Sequence, residues 1–345
     1  MTPAKPSPRA THVLTQIAPV AWEHPADRAA LNTLRAIPGF DEVVRKIMGA
    51  IGERGVRHLF TANAVRVGPR QRPKLDRLYG EVLATMDWSE RPELFVSQTP
   101  FANAMAVGFD KPFIVLNSGA LALLDEDERR VLLGHELGHV MSGHATYTTI
   151  ALLILRVGFS AIPGLGLIAL PVQLALLEWY RKAELSSDRA GLIATQDPIA
   201  SMRLFLRLAG GVSSDDEMSL DEFLVQAKEY ETGGNVVDTV LKALNVAFST
   251  HPFATVRAAE LQRWVESGAY DRIIGGEYPR RGAANARPLS EDYADAAAHY
   301  REETRTAVDQ VADALKSVGD LFPGAFRGAG GPGAPGAPGG GPAAK

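Results

Sequence analysis

Apolar residues recur at three- and four-residue intervals over residues 25–87, at Ala29, Leu31, Leu34, Val43, Val44, Ile47 and Met48. This spacing predicts packing helices, broken at Pro38-Gly39 and at Gly68-Pro69. The period then changes. Glu93–Ser97 and Phe113–Asn117 are short β-branched or aromatic runs between turn residues, and they predict two strands. Between them, residues 101–109 (FANAMAVGF) set Ala102, Ala104 and Ala106 in alternation with Asn103, Met105 and Val107. Such an extended, small-residue segment suits either a plain hairpin strand or a sheet edge to which a peptide is added by backbone pairing.

Helical spacing returns at residue 125. Asp125 followed by Glu128 is a capping-box start, and Val131, Leu132, Leu133, Leu137 and Val140 supply an apolar face, so a helix is expected over residues 125–144. Residues 145–155 and 157–177 carry no charge. The second run is long enough to span a bilayer if helical throughout. Pro163-Gly164-Leu165-Gly166 near its middle predicts instead a helical hairpin with short arms, buried in the protein or lying against a membrane surface. Further helices are expected over residues 171–195, 199–209, 220–231 and 236–248, and Pro252 fits the first turn of another. Residues 288–322 predict a long amphipathic helix, and the Gly, Ala and Pro tail over 323–345 cannot build a core. The expected organisation is a disordered lead over residues 1–21, one domain over 22–285, the amphipathic helix over 286–322, and a disordered tail.

The 36 Lys and Arg residues nearly balance the 40 Asp and Glu, and the net charge of -4 gives no electrostatic basis for nucleic acid as a partner. Cysteine is absent, which excludes disulfides and thiolate metal ligands; any metal must be held by His and carboxylates. The stretch from Val13 to Trp22 is broken by Gln16 and Pro19, too short for the apolar core of a signal peptide. A cytoplasmic protein is expected, with peripheral contact at the inner face of the cell membrane as a further expectation. No feature assigns an oligomeric state.

One stretch dictates a chemistry. His135 and His139 are four residues apart, so on a helix they lie about 40° from each other and can point two imidazoles at one ion. Glu136, at roughly 100° from His135, can reach a water at that ion without being a ligand. Gly134 precedes this HExxH sequence and Gly138 lies within it; they cost helix propensity and allow another backbone or a substrate to approach closely. Downstream, Glu184 and Asp188 share one face of the 171–195 helix. By themselves they could be a solvent-facing pair neutralised by Arg181, Lys182 and Arg189. Beside a two-histidine site they suit a third ligand, Glu184, with Asp188 behind a ligand histidine; Glu178 is the alternative ligand. A three-histidine site of the metzincin kind needs His at position 145, which is Ala. His144 falls one residue early, about 180° from His135 on the wheel, and is expected not to be a ligand.

With Asn103-Ala104-Met105-Ala106 and His251-Pro252 through Arg257 added, four motifs stand in one order. Over about residues 75–265 the chain resembles the gluzincin metallopeptidase family of the CAAX-prenyl protease and bacterial HtpX. The resemblance implies an α+β fold, predominantly α and zincin-like, with a small sheet, an HExxH helix and a second ligand-bearing helix. It implies one Zn2+ per chain on His135, His139 and Glu184, with Glu136 as general base in peptide-bond hydrolysis. It also implies that the Asn103 to Ala106 segment lines the cleft as an edge strand for a peptide or protein substrate, and that His251 and Arg257 assist at the site. Those relatives carry several membrane spans, whereas here the 145–177 region alone is apolar enough to consider, so prenyl-peptide cleavage is not carried over. A non-catalytic zinc adaptor is the competing class. Glu136 argues against it, because a structural site is normally closed by four ligands and has no use for a base.

Overall fold

The computed structural model describes residues 11–37, 39–157, 169–211, 218–232 and 253–283. The expected helix at 236–248, the turn carrying His251, the amphipathic helix at 288–322 and the tail lie outside the described residues. Those described form a mostly helical molecule around one small sheet. In chain order they give α1 (Pro25–Arg35), α2 (Phe40–Thr61), β1 (Ala64–Arg66), α3 (Pro73–Thr85), β2 (Glu93–Ser97), β3 (Ala104–Val107), β4 (Phe113–Asn117) and α4 (Ser118–Leu123). There follow α5 (Glu126–Met141), α6 (Ala145–Val157), α7 (Ala169–Thr195), α8 (Pro198–Gly210), α9 (Leu220–Thr232), α10 (Ala254–Glu266) and α11 (Ala269–Ile274).

The sheet order is β1-β2-β4-β3. Strand β2 runs parallel to β4 with Glu93 opposite Phe113, and β3 runs antiparallel to β4 with Ala104 opposite Leu116. Among the described residues the small-residue segment is therefore an edge strand. Strand β1 was not expected; three residues of which two are exposed carry no period that a sequence pattern could show. Structure also starts before Trp22, where a disordered lead was expected. Leu14 and Ile17 are buried, and Ile17 bridges to Arg280, a pairing so distant in the chain that nothing local announces it.

Strand periodicity divides the interior. Leu94, Val96, Ala104, Ala106, Ile114 and Leu116 face a first core shared with α3, α5 and α8. Phe95, Val107, Phe113 and Val115 point the other way, into a second core with α1, α2 and α6. Helix α7, with 27 residues and ~40 Å long, belongs to both. Its Val172, Leu176, Trp179 and Ala183 pack in the second core, and its Ala190, Leu192, Ile193 and Ala194 in the first. Glu184 and Asp188 fall between these two runs, where the cores meet. The described arms of the apolar 145–177 stretch supply second-core residues such as Ile150, Leu153 and Ile154. Among the described residues no helix is long and apolar enough to cross a membrane.

Candidate metal centre

Helix α5 begins as its sequence demands. Asp125 Oδ1 accepts the Glu128 backbone N–H at 2.9 Å, and Glu128 Oε2 accepts the Asp125 N–H at 2.9 Å, a complete capping box. The other oxygen of Glu128 accepts Arg207 Nε at 2.6 Å, which ties the helix start to α8. This fixed start sets the rotation of α5, so that His135 and His139 both face α7. Their neighbours Gly134 and Gly138 let α7 come close enough to answer with a carboxylate.

Three ligand-type atoms converge. His135 Nε2 and His139 Nε2 are 3.2 Å apart, Glu184 Oε1 is 3.1 Å from His139 Nε2, and Glu184 Oε2 is 3.6 Å from His135 Nε2. One ligand atom from each residue lies within 4.8 Å of the others, and all three residues are buried. Two nitrogens at zinc-ligand distance on a tetrahedral ion stand about 3.3 Å apart, so the spacing fits the group. The donor chemistry fits as well. Each ring uses Nδ1 for a protein partner, which leaves both Nε2 atoms to face one anionic carboxylate, an arrangement that a cation satisfies. Burial pushes the His139 imidazolium down to about 4 despite Glu184, so at neutral pH the ring is a lone-pair donor. His135 moves the other way: burial opposes its charge, and Glu184 and Asp188 outweigh burial.

Behind His135 stands Asp188, whose Oδ1 is 3.0 Å from Nδ1. Arg257 of α10 donates Nε–H to Asp188 Oδ2 at 2.8 Å and lies 3.5 Å from Glu184 Oε2. Burial pulls the Asp188 carboxyl up, and Arg257 and His135 more than reverse it, holding it below its ordinary value. Arg257 thus enters the centre as the partner of its carboxylates. Glu178 turns away. It is half-buried and pairs with Arg181 and Lys182, the cations that could otherwise have neutralised Glu184 and Asp188.

Two members of the cluster were not anticipated. His144 was expected to point away from His135, but α5 ends at Met141, and Gly143, at φ 73°, turns the chain. His144 therefore folds back, with Nδ1 3.1 Å from His139 Nδ1 and Nε2 3.1 Å from Asp27 Oδ2 of α1. Burial works against both charges. The pair resists it, with Asp27 held below its ordinary value and His144 above. The wheel angle that ruled His144 out as a ligand assumed a helix that stops three residues short of it.

Glu136 is buried, and the backbone of Ala106 in β3 favours its ionised form. Its Oε2 has no partner among the described residues. Burial, then the nearby Glu184, push its pKa up to about 7 against the pull of His135 and Arg257. On the same edge strand Ala104 and Ala106 are buried and Met105 is half-buried, while Asn103 Oδ1 accepts the Ala104 N–H at 2.9 Å. The strand runs past Glu136. His251 lies outside the described residues.

Comparison with known proteins agrees with this arrangement. The model of Peptidase family M48 matches residues 69–265. The chain is 33% identical over 258 residues to the plastoglobule-localized metallopeptidase 48, chloroplastic, of Arabidopsis thaliana, a match covering 73% of this chain and 74% of that protein. It is 27% identical over 228 residues to a protease HtpX homolog of Pseudarthrobacter chlorophenolicus, covering 58% and 75%. A protease HtpX homolog of Helicobacter pylori is 23% identical over 218 residues, covering 56% and 67%. No solved structure gives a significant match.

Proposed function

We propose that this chain, which belongs to peptidase family M48 and is a metalloprotease of the HtpX-like kind, is a zinc endopeptidase. His135, His139 and Glu184 would hold the metal, and Glu136 would act as general base. The observation that carries the reading is the convergence of three buried donors beside a buried carboxylate with one partnerless oxygen. When bound, zinc supplies a Lewis acid that polarises the scissile carbonyl and acidifies water to a pKa of about 7.

The remaining steps belong to the protein. Glu136 takes a proton from the attacking water and delivers it to the leaving amine. A peptide in extended form adds to the edge of the sheet along residues 103–106, which brings its scissile bond past Glu136. Asp188 holds the proton on His135 Nδ1, and Arg257 keeps Asp188 ionised. His251 is assigned as a donor to the developing oxyanion on the strength of its motif alone. The proposed substrate is a peptide or protein, and peripheral contact with a membrane surface is proposed for the whole chain.

Metal removal tests this. Protein stripped by a chelator should lose cleavage of casein or a peptide library, and one equivalent of zinc should restore it. Cleavage that persists in protein shown by elemental analysis to be metal-free would contradict the proposal.

A further inference from the structure

The family match covers residues 69–265, and α1 lies wholly upstream of it. Yet α1 sends a carboxylate into the centre. Asp27 is 3% exposed, and both its oxygens are engaged. Oδ1 accepts Trp179 Nε1–H at 3.1 Å; Oδ2 accepts the Ser186 hydroxyl at 2.6 Å and faces His144 Nε2 at 3.1 Å. His144 in turn meets His139 Nδ1 to Nδ1 at 3.1 Å. Withdrawing a carboxylate this far from water is costly unless it is paired, and anchoring α1 to α7 needs no charge.

We propose that Asp27 and His144 form a positioning relay for the second metal ligand: Asp27 holds the His144 proton on Nε2, His144 Nδ1 accepts the Nδ1–H of His139, and His139 is left with Nε2 bare and aimed at the cation. The inference rests on His135, His139 and Glu184 being the metal ligands. One proton per hydrogen bond supplies the logic. Two bare nitrogens at 3.1 Å repel and two N–H groups clash, so a single proton lies between the rings. Placed on His139 it leaves the Nε2 lone pair free. Placed on His144 it drives the proton of a neutral His139 ring to Nε2, where no cation could then bind.

The other ligand histidine has the same support in a different form. His135 Nδ1 meets Asp188 directly, and Asp188 is held by Arg257, all within the matched segment. The support of His139 is indirect and ends on a helix outside it. The N-terminal helix is thereby a working part of the centre.

The test uses the full chain with zinc and cobalt(II) as probes. Parent, Asp27→Asn, His144→Phe and the double variant are checked for folding in metal-free form by circular dichroism and thermal unfolding, then titrated with zinc against a competing chelator. Asp27→Asn keeps the shape and can still bond Trp179 and Ser186, so the fold should persist. Zinc affinity should fall about 10- to 100-fold in each single variant, and the double should be no weaker than the weaker single, because the two residues act as one unit. A second readout needs no variant to fold. In proton NMR of the cobalt-loaded parent, the ring N–H protons of ligand histidines are shifted far out of the ordinary range, and both His135 and His139 should show one, slow to exchange. The His139 signal should vanish in His144→Phe.

Affinities within about twofold of the parent, or a cobalt-loaded parent without a protected His139 Nδ1–H, would overturn the relay. A parent that takes up neither metal would overturn the ligand assignment itself. These outcomes are distinct.

Discussion

Gly138 faces Ala190 across the crossing of α5 and α7 so closely that a β-carbon on Gly138 would lie 2.4 Å from that of Ala190. Gly134 stands against Ala194 in the same way, at 2.5 Å. The glycines between and beside the ligand histidines are thus the contact that brings Glu184 within reach. Gly138→Ala should force the helices apart, costing about 1–3 kcal/mol of stability and at least ~10-fold in zinc affinity. Gly49→Ala in α2, with nothing within 4 Å of the added carbon, is the control and should leave zinc affinity unchanged. Thermal unfolding and zinc titration measure both. A Gly138→Ala protein that matches the parent in stability and affinity would show that the crossing is looser than it stands here.

The choice of third ligand separates Glu184 from Glu178. Glu184 is buried within 3.1 Å of His139 Nε2, whereas Glu178 is half-buried and paired with Arg181 and Lys182. Glu184→Gln should lower zinc affinity by a factor of ten or more, on the order of a lost ligand, and Glu178→Gln should leave it near the parent value. The reverse ranking in a chelator competition would move the ligand.

Burial of Glu136 makes the metal-free protein sensitive to pH. Its pKa is raised from 4.5 to about 7, so the folded state binds its proton more tightly than the unfolded state does. The stabilisation from that proton is fully present below pH about 4.5 and is lost as the pH rises towards 7. Above that, an ionised Glu136 costs the metal-free fold up to about 3 kcal/mol. Metal-free Glu136→Gln should therefore gain stability relative to the parent between pH 4.5 and 7 and hold a constant advantage at higher pH. Urea unfolding of both proteins at pH 4.5 and pH 8 checks this; the same difference at both values would contradict it.

Much of the centre was legible because its parts repeat every four residues on helices. His135 and His139 on α5, and Glu184 and Asp188 on α7, each share a face by spacing alone, and the capping box announces where α5 starts. The alternation over residues 101–109 admits both a plain hairpin strand and an edge strand. Pairing of Ala104 with Leu116 on one side, and no strand beyond among the described residues, makes it an edge. What no spacing shows is the long-range part. Asp27 reaches His144 from a helix more than a hundred residues upstream, and His144 turns back only because the chain leaves the helix after Met141. Strand β1 is too short to have a pattern, and the packing of Leu14 and Ile17 depends on partners such as Thr85 and Arg280.

The measurement that bears most directly on the proposed function is peptide cleavage by zinc-loaded Glu136→Gln beside the parent. The substitution keeps size and helix propensity nearly constant and leaves His135, His139 and Glu184 in place, so fold and about one zinc per chain should survive. General-base contributions are typically 10²- to 10⁴-fold, and turnover should fall to about one per cent of the parent or less. A Glu136→Gln protein that carries its zinc and cleaves peptides as fast as the parent would contradict the account.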